Sequence, residues 1–170
     1  SKIHLKRKRP QNRFLLSIMI LVCLGFASCN SDMVYEENID IEDKIWLAND
    51  TLSFSFKVED KASMYNVYYN VRNTITYPYQ NLYVNYTLQN TAGDTIRKDL
   101  INMTLFDPKT GKPFGNGLGD IFSHQFRVMS QYQFPDTGVY HFKLNQFMRR
   151  DSLPEILSVG VSIKDAVAEE

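Results

Sequence analysis

Two cysteines, one tryptophan and three histidines are all this 170-residue chain holds of three residue types that often carry metal binding, cross-linking or stacking. His124 and His141 each fall inside a strand-like stretch, and neither has a second ligand-type residue at zinc-site spacing. No serine or cysteine occupies a nucleophile-elbow motif. The many carboxylates form no pair that spacing assigns to glycosidase chemistry. Enzyme classes therefore find no support in the sequence, and no metal or soluble cofactor is expected. The chain also lacks an apolar run long enough to cross a bilayer, which takes about 20 residues; the longest, Phe14–Phe26, has 13. The absence of net charge conceals an asymmetry. All six charged residues before Cys29 are basic, so the remainder carries 19 − 6 = 13 basic against 19 acidic residues, a net charge of −6. An acidic body lacks the clustered Lys and Arg that neutralise phosphates, which argues against nucleic acid as a partner.

What is present first reads as an address. The basic run Lys6–Arg9 precedes the apolar segment, and Ala27 and Ser28 place small side chains before Cys29. This order predicts a signal peptide over residues 1–28. It resembles a bacterial lipoprotein lipobox, with Phe26 as a departure from the usual leucine. The expectation is an N-terminal Cys29 that is diacylated and N-acylated, the covalent lipid being the only added group. A plain signal with an incidental cysteine, or an uncleaved anchor, are the alternatives. One acyl chain holds a protein to a membrane only marginally, at about 0.8 kcal/mol per buried methylene, whereas three make attachment effectively permanent. Cys23 leaves with the signal, so no intrachain disulfide is possible and the domain relies on its core.

Residues 29–44 are polar and acidic and read as a tether. Ile45, Trp46 and Leu47 are expected to pack on the domain, Trp46 in the core rather than as a stacking platform. Residues 45–170 read as one domain. Leu52–Val58, Tyr65–Val71, Leu82–Leu88, Thr95–Leu105, Phe122–Gln133, Val139–Phe147 and Ile156–Lys164 all read as strands, the first three and the last with period-two alternation. The third and fourth are predicted to form a hairpin through the Asn90–Asp94 turn, and the fifth and sixth another pair. Seven strands at this spacing predict an all-β fold, a single antiparallel β-sandwich of immunoglobulin-like type, with a jelly roll as the alternative. Asp136-Thr137-Gly138-Val139-Tyr140 resembles a tyrosine corner, with Phe142 expected to make a cross-core contact where antibody domains have cysteine.

The segment Asp107–Asp120 is glycine-rich. It lacks the strand, helix and Lys-Ser/Thr of a phosphate-binding loop, and Asp107 and Asp120 do not fit an EF-hand calcium loop. Glycine at alternate positions there indicates positive φ angles and close backbone approach. Tyr77-Pro78-Tyr79 is expected to be a turn or edge exposing aromatic faces. The candidate interaction surface is therefore Tyr77, Pro78, Tyr79, Asn116 and Asp120. Asp50-Thr51-Leu52, Asp94-Thr95-Ile96 and Asp151-Ser152-Leu153 each resemble an O-glycosylation acceptor of exported Bacteroidetes proteins, making Thr51, Thr95 and Ser152 candidates; composition alone would give about one such triplet.

Several segments together resemble the gliding-motility lipoprotein GldH family of Bacteroidetes: Tyr35, Asn70-Val71-Arg72-Asn73, Tyr77–Tyr83, Gly115–Asp120, Phe134-Pro135, Gly138-Val139-Tyr140 and Gln146–Arg149. The resemblance implies a non-enzymatic lipoprotein, accessory to the envelope machinery of gliding and type IX secretion, acting by contact with other envelope proteins. It implies no catalytic residue. No acidic run directly follows Cys29, which favours the periplasmic face of the outer membrane over the cell surface. The alternative is a glycan-binding envelope lipoprotein, which would need aromatic faces flanking polar groups in a groove.

Overall fold

The computed structural model describes residues 32–166; the expected signal peptide and Cys29 lie outside the described residues. Alternation builds the sheets. In β3 (Leu52–Val58) every odd position of the strand is buried and every even one exposed, and β5 (Asn81–Gln89) alternates in the opposite phase, its even positions buried and its odd ones half-buried. The remaining long strands are β1 (Met33–Asp40), β4 (Tyr65–Thr74), β6 (Thr95–Thr104), β8 (Ile121–Tyr132), β9 (Gly138–Gln146) and β11 (Ile156–Asp165). Three short strands complete the set: β2 (Ile45–Leu47), β7 (Asn116–Leu118) and β10 (Ser152–Pro154). Among the described residues no helix is long and apolar enough to cross a membrane.

One sheet has the order β1-β11-β4-β8-β7 and the other β3-β9-β5-β6, all neighbours antiparallel. The expected sandwich is present, and its connectivity is the jelly-roll alternative. Numbering the eight long strands one to eight, the sheets read 1-8-3-6 and 2-7-4-5, the interleaving that two nested Greek keys produce. The core between the sheets includes Phe54, Tyr69, Leu82, Leu88, Phe142, Leu144, Val159 and Val161, all fully buried.

Three expectations need correction. Residues 33–40 are no tether: they form β1, paired along its length with β11, and Tyr35 packs 5.8 Å from Phe56. Its carboxylates are tolerated because β1 is an edge strand, where charge also discourages unwanted pairing. The pair expected from β8 and β9 is split between sheets, because buried Phe134 and the turn after it carry the chain across the core. Ile45 and Leu47, expected to pack on the domain, are exposed, because the pleat of β2 turns only Trp46 inward. Phe142 is fully buried in the core and stacks on Tyr86 of neighbouring β5, ring centres 5.0 Å apart.

The tyrosine corner is formed. Tyr140 Oη donates to the carbonyl of Asp136 at 2.7 Å and accepts from its N–H at 3.2 Å. Trp46, fully buried, donates Nε1 to the Asp50 carbonyl at 3.1 Å, and β2 pairs with β10. Trp46 is a core residue, as expected.

Candidate interaction surface

Strand direction sorts the connections into two groups. The segments 41–51, 75–80, 105–120 and 147–155 all join strands at one end of the sandwich. The shorter turns 59–64, 90–94 and 133–137 lie at the other end, with the start of β1 and the finish of β11. The sequence-predicted surface residues all belong to the first group.

Backbone hydrogen bonds knit that end together. The Gln80 carbonyl accepts from the N–H groups of Leu105 (2.8 Å) and Phe106 (3.1 Å), and the Asp120 carbonyl accepts from Ile75 at 2.8 Å. Phe114 N–H reaches the Leu105 carbonyl at 2.9 Å. Thus the structure does bring the Tyr77–Tyr79 and Gly115–Asp120 segments together.

The three glycines have distinct causes. A Cβ at Gly115 would lie 2.6 Å from the Ser123 carbonyl oxygen and 2.7 Å from the His124 ring; one at Gly117 would lie 2.4 Å from the Ile121 oxygen and the Phe122 ring. Only bare backbone lets β7 approach β8 this closely. Gly119, at φ 67°, makes the two-residue turn between them. The glycines therefore serve close approach and turn geometry. Asp107 is occupied likewise: its Oδ1 accepts from the N–H groups of Lys109 (2.7 Å) and Thr110 (3.1 Å), which hold its carboxyl below the usual range. Among the described residues no group of three His, Cys, Asp or Glu side chains is placed to hold a metal ion.

Tyr77 is a correction. It is 5% exposed, stacked on Phe106 at 6.4 Å, and donates its hydroxyl to the Asn81 carbonyl at 3.0 Å. Burial pushes its phenol well up. Proline at position 78 turns the chain so that Tyr77 enters the core while Pro78 stays exposed. Tyr79 is half-buried, edge-on to Tyr77, and accepts a hydrogen bond from Arg150 Nη1 at 2.8 Å. Asn116 and Asp120 are exposed.

The apolar surface at this end comes from residues that the sequence did not mark as exposed. Leu118, at the tip of the β7–β8 hairpin, is 94% exposed, and Phe114, just before β7, is 60% exposed. Ile75, Ile45, Leu47 and Phe147 on neighbouring segments are also exposed. For Phe114 and Leu118 the sequence signal was local: large apolar side chains set among glycines and a proline, where no alternation buries them.

The outer face of the five-stranded sheet is polar, and its amides satisfy one another. Gln125 Nε2 donates to Asn70 Oδ1 at 3.0 Å, and Asn70 Nδ2 to Ser162 Oγ at 2.6 Å. The aromatic ring there, Tyr68, is covered by Lys164 Nζ at 5.0 Å. On the other outer face, exposed Ser55 Oγ and His141 Nδ1 lie 2.8 Å apart across β3 and β9. The glycosylation candidates Thr51, Thr95 and Ser152 are all exposed.

Comparison with known proteins matches this architecture from its first long strand to its last. The GldH lipoprotein family model matches residues 33–163. The chain is 26% identical over 141 residues to a gliding motility lipoprotein GldH homolog of Christiangramia forsetii, covering 83% of this chain and 85% of that protein. It is 25% identical over 154 residues to the gliding motility lipoprotein GldH of Flavobacterium johnsoniae, covering 86% and 94%. Among solved structures, the VP2 subviral particle of infectious bursal disease virus aligns with a TM-score of 0.37 at 8% identity, over 76% of this chain and 32% of that one, a likeness too distant to inform function. With the family match running through both sheets and the edge strand β1, the chain belongs to the GldH lipoprotein family.

Proposed function

We propose that this protein is a non-enzymatic accessory of the envelope machinery for gliding motility and type IX secretion, acting by contact with other envelope proteins. Membership of a lipoprotein family supports attachment to the envelope. The finer placement, by an acylated Cys29 on the periplasmic face of the outer membrane, is part of the proposal.

The observation that carries the reading is Leu118. An almost fully exposed leucine is held at the tip of a hairpin whose backbone is pinned by two glycines against β8. Because the backbone beneath it is already held, a partner that covers this side chain orders only its rotamers, and burying it contributes about 2 kcal/mol. Phe114 and Ile75 at the same end are also exposed, and Tyr79 there is half-buried. The glycan alternative loses support from Tyr68, whose ring Lys164 already covers. Thr51, Thr95 and Ser152 remain proposed O-glycosylation sites, each with an exposed side chain.

The test is co-isolation of a tagged form from a gliding Bacteroidetes host, with Leu118→Asp beside the parent. The variant is expected to keep the parent melting temperature while its envelope partners are lost by about tenfold, the equivalent of about 1.4 kcal/mol. Unchanged recovery of partners would reject this surface, and hexose increments on the intact protein would be needed to sustain the glycosylation sites.

A further inference from the structure

β1 begins at Met33, so only Asn30, Ser31 and Asp32 separate Cys29 from the sheet. Fully extended, the chain from Cys29 to Asp32 reaches no more than about 11 Å. Asp32 in turn is fixed: its carbonyl accepts from the Asp165 N–H at 2.8 Å, and the Ala166 N–H donates to Met64 at 2.8 Å. The point where the chain enters the sandwich therefore belongs to the end that carries turns 59–64, 90–94 and 133–137.

We infer that this end of the sandwich rests against the lipid headgroups, with the β7–β8 hairpin directed away from the membrane. The inference depends on the lipidation of Cys29 proposed above. Acyl chains hold Cys29 at the boundary of the hydrocarbon, and an 11 Å leash is barely longer than the headgroup layer, about 5–8 Å thick on each side. The ten-residue strand β4 then lifts the opposite loops by about 30 Å.

Two features support an upright rather than a toppled sandwich. The flank beside the anchor is the β1 edge, which with the turn after it exposes Glu36, Glu37, Asp40, Glu42 and Asp43 before the first basic residue, Lys44. Laying that flank on an anionic surface would bring five carboxylates together against it. At the anchor end, by contrast, charges are partly neutralised: Lys57 pairs with Glu59 at 3.1 Å and Lys61 with Asp136 at 3.5 Å, leaving Asp32, Asp60, Asp94 and Asp165. That end is also rigid. Asp60 accepts from Ala62 N–H and Ser63 Oγ, both at 2.8 Å; Gln133 Nε2 donates to the Lys61 carbonyl at 2.9 Å; and Thr91 Oγ1 donates to the Val139 carbonyl at 3.1 Å. Apart from Met64, which is exposed in the first of them, the three turns present a polar platform suited to water and headgroups.

The test uses the full acylated protein in vesicles of phosphatidylethanolamine and phosphatidylglycerol that carry a nickel-chelating lipid. Nitroxide labels are placed at Ala92→Cys and, separately, Lys109→Cys, both exposed positions at opposite ends. Relaxation enhancement is expected to be about threefold larger at residue 92, since the sites differ in height by about 30 Å. Inserting 15 Gly/Ser residues after Ser31 is expected to remove the difference. Equal or reversed enhancement in the uninserted protein would overturn the orientation. Failure of the protein to float with vesicles would overturn the anchor itself, and the orientation with it.

Discussion

The two ends of the sandwich obey different rules. At the end where the chain enters, three turns of five or six residues are tied to one another and to the strands, and Tyr140 locks one of them to β9 through Asp136. At the far end the connections are longer, are capped by Trp46 from β2, and leave Leu118 and Phe114 in solvent. Short tied turns cost little loop-closure entropy, and the apolar side chains they leave exposed, Met64 and Val139, are less exposed than Leu118 and Phe114. Long connections that stay ordered need added fixings, here the Gln80 carbonyl, the β2–β10 pair and the glycine-dependent contact of β7 on β8. A fold that pays for order at one end while leaving leucine exposed there has the feature that the proposed contact surface requires.

The largest expected effect is at the far end. Trp46→Ala removes the buried cap of the core and is expected to cost about 3–5 kcal/mol, a fall in melting temperature of roughly 10 °C. A loss below about 1 kcal/mol would mean that the far-end loops are stabilised independently of the core.

Gly117→Ala drives a methyl into the Ile121 carbonyl and the Phe122 ring, and is expected to cost about 1–2 kcal/mol. Amide exchange should accelerate at residues 116–123 and leave turns 59–64 and 133–137 unchanged; acceleration at both ends would dissolve the contrast between them.

Tyr140→Phe is the counterpart at the anchor end. Losing the bond to Asp136 is expected to cost about 1 kcal/mol, with exchange rising in 133–137 and partner recovery unaffected.

The smallest effect is a pH dependence. His124 is buried beside Gly115, its Nε2 has no hydrogen-bond partner, and burial holds its imidazole below the ordinary value. The unfolded chain therefore takes up a proton at higher pH than the folded one. Stability is full above about pH 6.5 and falls as pH drops below it, until the folded imidazole itself protonates. Thermal melts of His124→Gln should be flat over that window, while a parent with no slope there would place His124 in contact with water.

Much of this was legible in the chain. The seven expected stretches each became a strand within a residue or three of their expected bounds, most clearly where a strand buried on one face writes its burial directly into period two, as in β3 and β5. β1 was not legible: Glu37 interrupts the apolar positions Met33, Tyr35 and Ile39, as a partly covered edge strand permits. That omission also decided the topology, since seven strands fit an immunoglobulin-like count and only an eighth, added beside β11, gives the jelly roll. Tyr77 was misjudged because a neighbouring proline marks a bend without saying which side chain turns inward. The glycines of the β7–β8 hairpin were read correctly as sites of close approach and positive φ. The leucine they display went unnoticed, since exposure of one apolar residue depends on tertiary neighbours rather than on its own segment.

The most direct measurement places a photoreactive amino acid at position 118 or at position 92 of the full chain in living cells and identifies the cross-linked species by mass spectrometry. The account predicts discrete adducts with envelope proteins of the motility and secretion machinery from position 118, and adducts with phospholipid but not with those proteins from position 92. The same protein adducts from position 92 and none from position 118 would contradict it.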